Sequence, residues 1–269
     1  ILPAANGWPA TWVWGAAGAA TLLLATLPWL RLRRPAPDPV ARVDLANCNG
    51  CGRCALDCPY NAIVMQPRAD GRRGPRQPLV LADLCASCGI CAGACPSSTP
   101  FRSAEELVTG IDMPQLPIGE VRERMGAVLE RLSGEAKVLV FGCECAADAA
   151  ALERPGVAAV NLLCTGMLPP SFIEYALRAG ADGVLISGCR ESDCAYRLGQ
   201  ALTEERLRGE REPHLRANVP RERVVVAWAG RGDEGRLEHA LEALRERLRG
   251  APAAAPRPLP RHARERAGG

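Results

Sequence analysis

The stretch CNGCGRCALDCP, residues 48–59, decides the fold of the first half of the chain. Its cysteines follow the order C-x2-C-x2-C-x3-C-P, and the same order returns in CASCGICAGACP, residues 85–96. Each cysteine recurs after 37 residues, so the region is an internal repeat. Three thiolates on one tight loop reach three corners of a cubane, while the fourth, beside proline, turns toward the other loop. The spacing therefore predicts two clusters whose ligands cross the repeat.

Crossed ligation assigns every cysteine of the repeat. The first [4Fe–4S] cluster is predicted to bind Cys48, Cys51, Cys54 and Cys95, and the second Cys58, Cys85, Cys88 and Cys91. Zinc is disfavoured because zinc sites use C-x2-C pairs that are set well apart. Residues 41–100 resemble a bacterial two-cluster ferredoxin. The resemblance implies two stacked halves, each a short hairpin with a short helix.

Composition limits what the rest of the chain can do. A length of 269 residues with 48% hydrophobic content suits one or two compact domains. The net charge of +3 is too small to indicate nucleic acid, so no nucleic-acid partner is expected. Thirteen cysteines at short spacings suit metal better than disulfides, and free thiols indicate a reducing compartment. No catalytic residue is predicted.

Residues 1–30 contain no charged side chain. Trp8 to Leu30 would form a helix about 35 Å long, enough for a hydrocarbon core of about 30 Å. Tryptophans toward both ends and the basic segment RLRR, residues 31–34, favour a membrane span with the later domains in the cytoplasm. A signal peptide is disfavoured, because its positive charges would precede the apolar run. We therefore expect a single-pass anchor in the cytoplasmic membrane, in contact with the lipid bilayer.

Beyond the repeat, apolar runs alternate with helical patterns. Strands are predicted at 137–141, 157–163, 182–187 and 223–228, followed in turn by helices at 146–153, 169–180, 192–208 and 233–248. Strands that are apolar throughout and alternate with helices predict a parallel sheet covered on both faces.

The predicted fold class is α+β and α/β: an N-terminal transmembrane helix, a two-cluster ferredoxin-like domain and a parallel-sheet α/β domain. The expected boundaries are 1–34 for the anchor, 35–44 for a proline-rich linker, 45–100 for the ferredoxin domain, 101–136 for a connector with a helix, 137–250 for the α/β domain and 251–269 for a disordered tail.

Five further cysteines lie just past the carboxyl ends of the first three predicted strands: Cys143, Cys145, Cys164, Cys189 and Cys194. The carboxyl ends of parallel strands share one edge of the sheet, which is where such folds bind ligands. Ordinary buried cysteines are disfavoured, because all five occupy strand ends. We expect four of the five to hold a third iron–sulfur cluster.

The same region resembles a known family, the delta subunit of methyl-viologen-reducing hydrogenase. The residues that match its pattern are Cys143, Cys164, Gly166, Gly180, Ala181, Asp182, Gly183, Gly188, Cys189, Asp193, Cys194 and Tyr196. The resemblance implies a [2Fe–2S] cluster and electron transfer between a redox enzyme and a heterodisulfide-reductase-like flavoprotein. The family usually separates its first two cysteines by two residues, whereas only Glu144 lies between them here. The choice between Cys143 and Cys145 therefore stays open.

Three clusters without substrate chemistry predict an electron relay. One end is expected to meet a membrane redox protein such as cytochrome b or a quinone site. The other is expected to meet a flavoprotein of heterodisulfide-reductase type, a dehydrogenase or a hydrogenase. An alternative is a component of a thiol/disulfide reductase with chemistry at the third cluster, and another is a cluster-based sensor. Whether the chain is itself an enzyme stays open.

Overall fold

The computed structural model describes residues 10–32, 39–68, 71, 74–101 and 108–250. The chain divides into two compact units, Ile1–Asp38 and Pro39–Gly269. The predicted tail at 251–269 and the first part of the predicted linker lie outside the described residues, so both stay predictions.

The N-terminal unit contains helix α1, Ala10–Leu32, over the stretch predicted to cross a membrane. Nearly half of its residues are Ala, Gly or Thr, whose short side chains offer little apolar surface. Across the part of the chain that the structure describes, no helix combines the length and the apolar character that a membrane crossing requires. The prediction of a transmembrane anchor is therefore corrected: the helix exists, but a spanning role for it is not supported.

The second unit begins with the cysteine repeat. Its elements are β1 (Arg42–Val43), α2 (Arg53–Leu56), β2 (Ile63–Pro67), β3 (Arg76–Val80), α3 (Ile90–Ala94) and β4 (Ile111–Asp112). Strands β2 and β3 form an antiparallel hairpin, and β1 pairs antiparallel with β4. Strand β1 precedes residue 45 and β4 follows residue 100. Because these two strands pair, they close the cysteine repeat between them.

The α/β part belongs to the same compact unit as the cysteine repeat. Its elements are α4 (Ile118–Arg131), β5 (Val138–Cys143), β6 (Val157–Leu162), α5 (Pro170–Arg178), β7 (Gly183–Gly188), α6 (Gly199–Arg208), β8 (Val224–Trp228) and α7 (Glu234–Arg249). The four strands are parallel in the order β6-β5-β7-β8. This confirms the predicted parallel sheet and places β5, the first of its strands along the chain, in its interior.

Two predicted helices differ from the structure. The helix expected at 146–153 is reduced to a short 3-10 turn, Ala149–Leu152, because the Ala147 N–H donates to the carbonyl of Ala229 beyond β8, at 2.9 Å. The helix expected at 192–208 begins only at Gly199. Ser192 and Arg197 have φ angles of 63° and 62°, a left-handed conformation that a helix cannot contain.

The side chains of β5 alternate between two cores. Leu139 and Phe141 belong to a core that includes residues of α4 and α5, whereas Val138 and Val140 face residues of α7. The first of these cores also contains Cys54, Cys91 and Cys95 of the repeat. The ferredoxin-like and α/β modules therefore share one continuous core.

Candidate metal centres

The first thiol group surrounds an open cavity of about 260 Å³. Its cysteines are Cys48, Cys51, Cys54 and Cys95, as the crossed pattern predicts. Gly50 adopts a φ of 72°, and a side chain there would collide with the carbonyl oxygen of Arg76. The Gly50 N–H donates to the Cys48 sulfur at 3.4 Å. The loop thus turns tightly enough to aim backbone donors at a thiolate.

Burial holds the proton on Cys54 when no metal is bound. Desolvation, followed by repulsion from the thiolates of Cys95, Cys51 and Cys48, raises the pKa of Cys54 to about 12. The neutral thiol is therefore the stable form at pH 7 in the metal-free site. A metal must displace this proton, so its binding releases protons into solution.

The second thiol group is more enclosed than the first. Cys58, Cys85, Cys88 and Cys91 line a cavity of only about 20 Å³. Burial is the main cause that raises the pKa of Cys88 to about 11 and raises that of Cys91 well above its usual value. The Ala62 N–H donates to the Cys58 sulfur at 3.3 Å.

The third thiol group forms where the sheet reverses its winding direction. Cys143 ends β5. Cys164 follows β6 and Cys189 follows β7, and β6 and β7 are the two neighbours of β5 in the sheet. The sulfurs of Cys143 and Cys189 are 3.9 Å apart. Cys194 lies in the loop before α6, and its sulfur lies near that of Cys164 beside Gly199. Sequence-distant thiols therefore converge at the carboxyl edge of the sheet, as predicted.

The four sulfurs of the third group lie close together. Cys143 and Cys189 are within hydrogen-bond distance of each other. The sulfurs of Cys164 and Cys194 both lie beside Gly199, where an added Cβ would be 3.1 Å from the Cys194 sulfur and closer still to that of Cys164. Interaction with Cys164 and Cys189 lowers the pKa values of Cys143 and Cys194, and the same interactions raise the pKa values of Cys164 and Cys189. We call these four side chains the thiol ring.

Cys145 lies beside the thiol ring, which closes without it. It is half-buried in the turn after β5, where burial raises the pKa of its thiol. An interaction with Cys143 adds to this rise in pKa, and an interaction with the Tyr196 hydroxyl opposes it. The structure thus brings Cys143 together with the other three sulfurs and leaves Cys145 adjacent.

The donor chemistry of the three groups suits iron–sulfur clusters. Among the described residues, no three or more Cys, His, Asp or Glu side chains are arranged to hold a single metal ion. Each group nevertheless supplies four soft thiolates, the ligand type that iron–sulfur clusters use. The two groups of the repeat also have the cross-repeat composition of cubane sites. All three groups therefore fit the predicted kind of cofactor.

The second group and the thiol ring adjoin each other. Cys88 and Cys164 share a small buried apolar cluster with Ile90 and Leu202. Tyr196 packs against this cluster. The second group therefore lies against the thiol ring, and Cys91 of the second group also interacts electrostatically with Cys54 of the first.

Sequence reasoning missed two buried charges near this junction, Asp57 and Arg206, which form an ion pair at 2.6 Å. Arg206 lies on α6, in a segment rich in exposed charges. Nothing in the local pattern distinguishes it from the solvent-facing arginines around it, so only the tertiary contact reveals it.

Two protein families match separate parts of the chain. Residues 47–99 match the 4Fe-4S dicluster domain, and residues 138–251 match the family described as methyl-viologen-reducing hydrogenase, delta subunit. An iron–sulfur protein of the F420-non-reducing hydrogenase (vhc) of Methanococcus voltae is 28% identical over 43% of this chain and 85% of its own length. A component of the ferredoxin:CoB-CoM heterodisulfide reductase of Methanosarcina mazei is 27% identical over 30% of this chain and 10% of its own length.

These similarities support iron–sulfur clusters, and the 4Fe–4S type for the repeat, but they do not support the predicted [2Fe–2S] type for the third site. An iron–sulfur protein of the F420-non-reducing hydrogenase (vhu) of Methanococcus maripaludis is 30% identical over 39% of this chain and 81% of its own length. The chain therefore belongs to the methyl-viologen-reducing hydrogenase delta subunit family, as an iron–sulfur electron-transfer protein of the hydrogenase and heterodisulfide reductase type.

Proposed function

We propose that the chain carries electrons one at a time through three centres in the order first group, second group, thiol ring. The ligands are Cys48, Cys51, Cys54 and Cys95 for the first [4Fe–4S] cluster; Cys58, Cys85, Cys88 and Cys91 for the second; and Cys143, Cys164, Cys189 and Cys194 for a [2Fe–2S] cluster. The observation that carries the proposal is the buried apolar cluster that Cys88 and Cys164 share. It links the two modules at their metal sites.

When bound, the clusters supply one-electron carriers whose potentials depend on cluster type, charge, hydrogen bonds and exposure. The protein contributes the route. Cys51 of the first group is exposed and Cys194 of the thiol ring is half-exposed, whereas Cys88 and Cys91 of the second group are buried. The first group and the thiol ring can therefore exchange electrons with partner proteins, whereas the second group is shielded from water.

The proposed partners follow from the names of the relatives. A hydrogenase at one end and a flavoprotein of the heterodisulfide reductase kind at the other suit a chain that is similar to both groups of proteins. A cytochrome b partner and a location at the cytoplasmic membrane stay predictions of the sequence. Membrane fractionation of the full chain measures the location.

A second candidate function is thiol/disulfide reduction at the third site. It is favoured by one observation, the half-exposed thiol of Cys145 beside the thiol ring. Disulfide reduction by the purified full chain with a chemical reductant, lost in Cys145→Ser, would support this candidate over a relay without substrate chemistry.

The proposed relay is tested by iron and sulfide counting with EPR on anaerobically purified full-length protein. Two cubanes and one two-iron cluster predict about ten irons per chain and a [2Fe–2S]-type signal beside the [4Fe–4S] signals. Eight irons without a third signal would remove the third centre from the proposal. Zinc in place of iron would contradict the relay altogether.

A further inference from the structure

Arg206 is a fully buried cation between the two modules. Its side chain is 1% exposed, as is that of its partner Asp57. One guanidinium nitrogen donates to the Asp57 carboxylate at 2.6 Å, and another donates to the carbonyl oxygen of Gly166 at 2.6 Å. Arg211 also donates to Asp57, at 2.8 Å.

Stability alone does not account for this ion pair. Taking two charges out of water is unfavourable, and well-packed apolar side chains of similar volume often serve a core equally well. The Nε of Arg206 is also buried without a hydrogen-bond partner among the described residues. An arginine that is incompletely satisfied in this way indicates a role for the charge itself.

The ion pair joins two segments that carry ligands of neighbouring sites. Gly166, which accepts from Arg206, lies two residues after Cys164 of the thiol ring. Asp57 immediately precedes Cys58 of the second group. Arg206 therefore contacts the backbone of the segment that carries Cys164 and interacts electrostatically with that cysteine, whereas Asp57 belongs to the segment that carries Cys58.

We propose that the Asp57–Arg206 pair raises the reduction potential of the third centre relative to the second, so that an electron favours the third centre. This inference rests on the proposed relay. Reduction adds a negative charge to a cluster, which a nearby cation stabilises and a nearby anion opposes. Burial leaves these interactions largely unscreened by solvent or salt. Arg206 is thus a positioning and tuning residue that contacts neither an electron donor nor an acceptor.

The test is an anaerobic EPR redox titration of full-length protein with Arg206→Gln, Arg206→Lys and the control Arg208→Gln. Arg208 lies on the same helix with its side chain 53% exposed. Arg206→Gln is expected to make the third centre harder to reduce by at least about tenfold in equilibrium constant, or about 59 mV for one electron. Arg206→Lys keeps the charge and should retain most of the wild-type potential, and Arg208→Gln should leave it unchanged.

Unchanged potentials in Arg206→Gln with full iron content would overturn the inference, as would an equal shift in Arg208→Gln or in Arg206→Lys. If Arg206→Gln loses iron, Arg211→Gln serves instead, because the Arg211 side chain is 28% exposed. Removing this cation should lower the potential of the second centre through the less neutralised Asp57, and no shift there would also overturn the inference. A wild-type protein without a third EPR signal refutes the relay itself, which separates the two failures.

Discussion

At the scale of single residues, the third site is defined by which sulfurs reach one another. Cys143 and Cys145 are two positions apart, yet only Cys143 ends a buried strand and meets Cys189 at 3.9 Å. Cys145 belongs to the turn that follows, where it is half-buried at the edge of the cluster formed by Cys143, Ala146 and Cys189. The chain changes direction where the strand ends, so a shift of two positions decides which thiol faces the site.

Replacing each cysteine by serine tests which of the two, Cys143 or Cys145, is a cluster ligand. Cys143→Ser should lose the third centre, about two of about ten irons, together with its EPR signal, because a ligand has been removed. Cys145→Ser, the matched control two residues away, should keep both. The measurement is iron counting and EPR on the anaerobic full chain. Retention of the third signal in Cys143→Ser with its loss in Cys145→Ser would reverse the assignment.

At the scale of elements, a glycine allows helix α3 to touch the third site. Gly93 of α3 lies against the carbonyl oxygens of Gly166 and Met167 in the short 3-10 turn Thr165–Met167, which directly follows Cys164. A methyl group at Gly93 would be 2.7 Å from the Met167 oxygen. Backbone contact this close requires a residue without a side chain. The second and third thiol groups are near each other because these two short elements interlock.

Adding one methyl group tests this packing. Gly93→Ala should lower the free energy of unfolding by about 1–3 kcal/mol, because the contacting atoms are backbone and cannot move aside easily. The control Gly235→Ala places its methyl in open space at the start of α7 and should be neutral or stabilising by up to about 1 kcal/mol. Anaerobic thermal unfolding of both variants gives the comparison. A Gly93→Ala protein as stable as the wild type would show that the two elements do not interlock in solution.

The loop from Cys189 to Leu198 shows why an element can differ from its pattern. Its sequence is compatible with the start of a helix, but Ser192 and Arg197 adopt left-handed conformations. The Gln200 side chain donates to the carbonyl oxygens of Cys189 and Arg190, the latter at 3.0 Å. These contacts hold the loop in the turn that returns Cys194 to the thiol ring.

At the scale of the whole molecule, the metal sites are built into a shared core. The core that contains Cys54, Cys91 and Cys95 continues into Val121 and Met125 of α4. The core on the opposite face of the sheet contains Leu237 and Leu241 of α7 and none of these cysteines. Metal binding and packing of one face of the sheet should therefore be coupled.

Removing iron tests this coupling. Anaerobic chelation of the full chain should increase amide hydrogen exchange in α4 more than in α7, because the core around α4 includes cluster ligands and the core around α7 does not. Exchange measured by mass spectrometry on the iron-loaded and iron-free protein provides the comparison. If the β2–β3 hairpin loses protection while α4 is unchanged, the two modules are energetically independent and the prediction fails.

The sequence by itself determined the local features of this protein. The cysteine repeat predicted both four-thiol groups because each loop has a fixed reach, and the alternation of strands and helices predicted the parallel sheet with its cysteine-rich edge. Only the tertiary structure decided that Cys143 joins the thiol ring, that Cys88 and Cys164 share a buried cluster, and that Asp57 pairs with Arg206, 149 residues away. Periodicity and spacing report on neighbours along the chain. Contacts between residues that are distant in sequence depend on how helices and strands pack against each other, and this packing is not visible in any local sequence pattern.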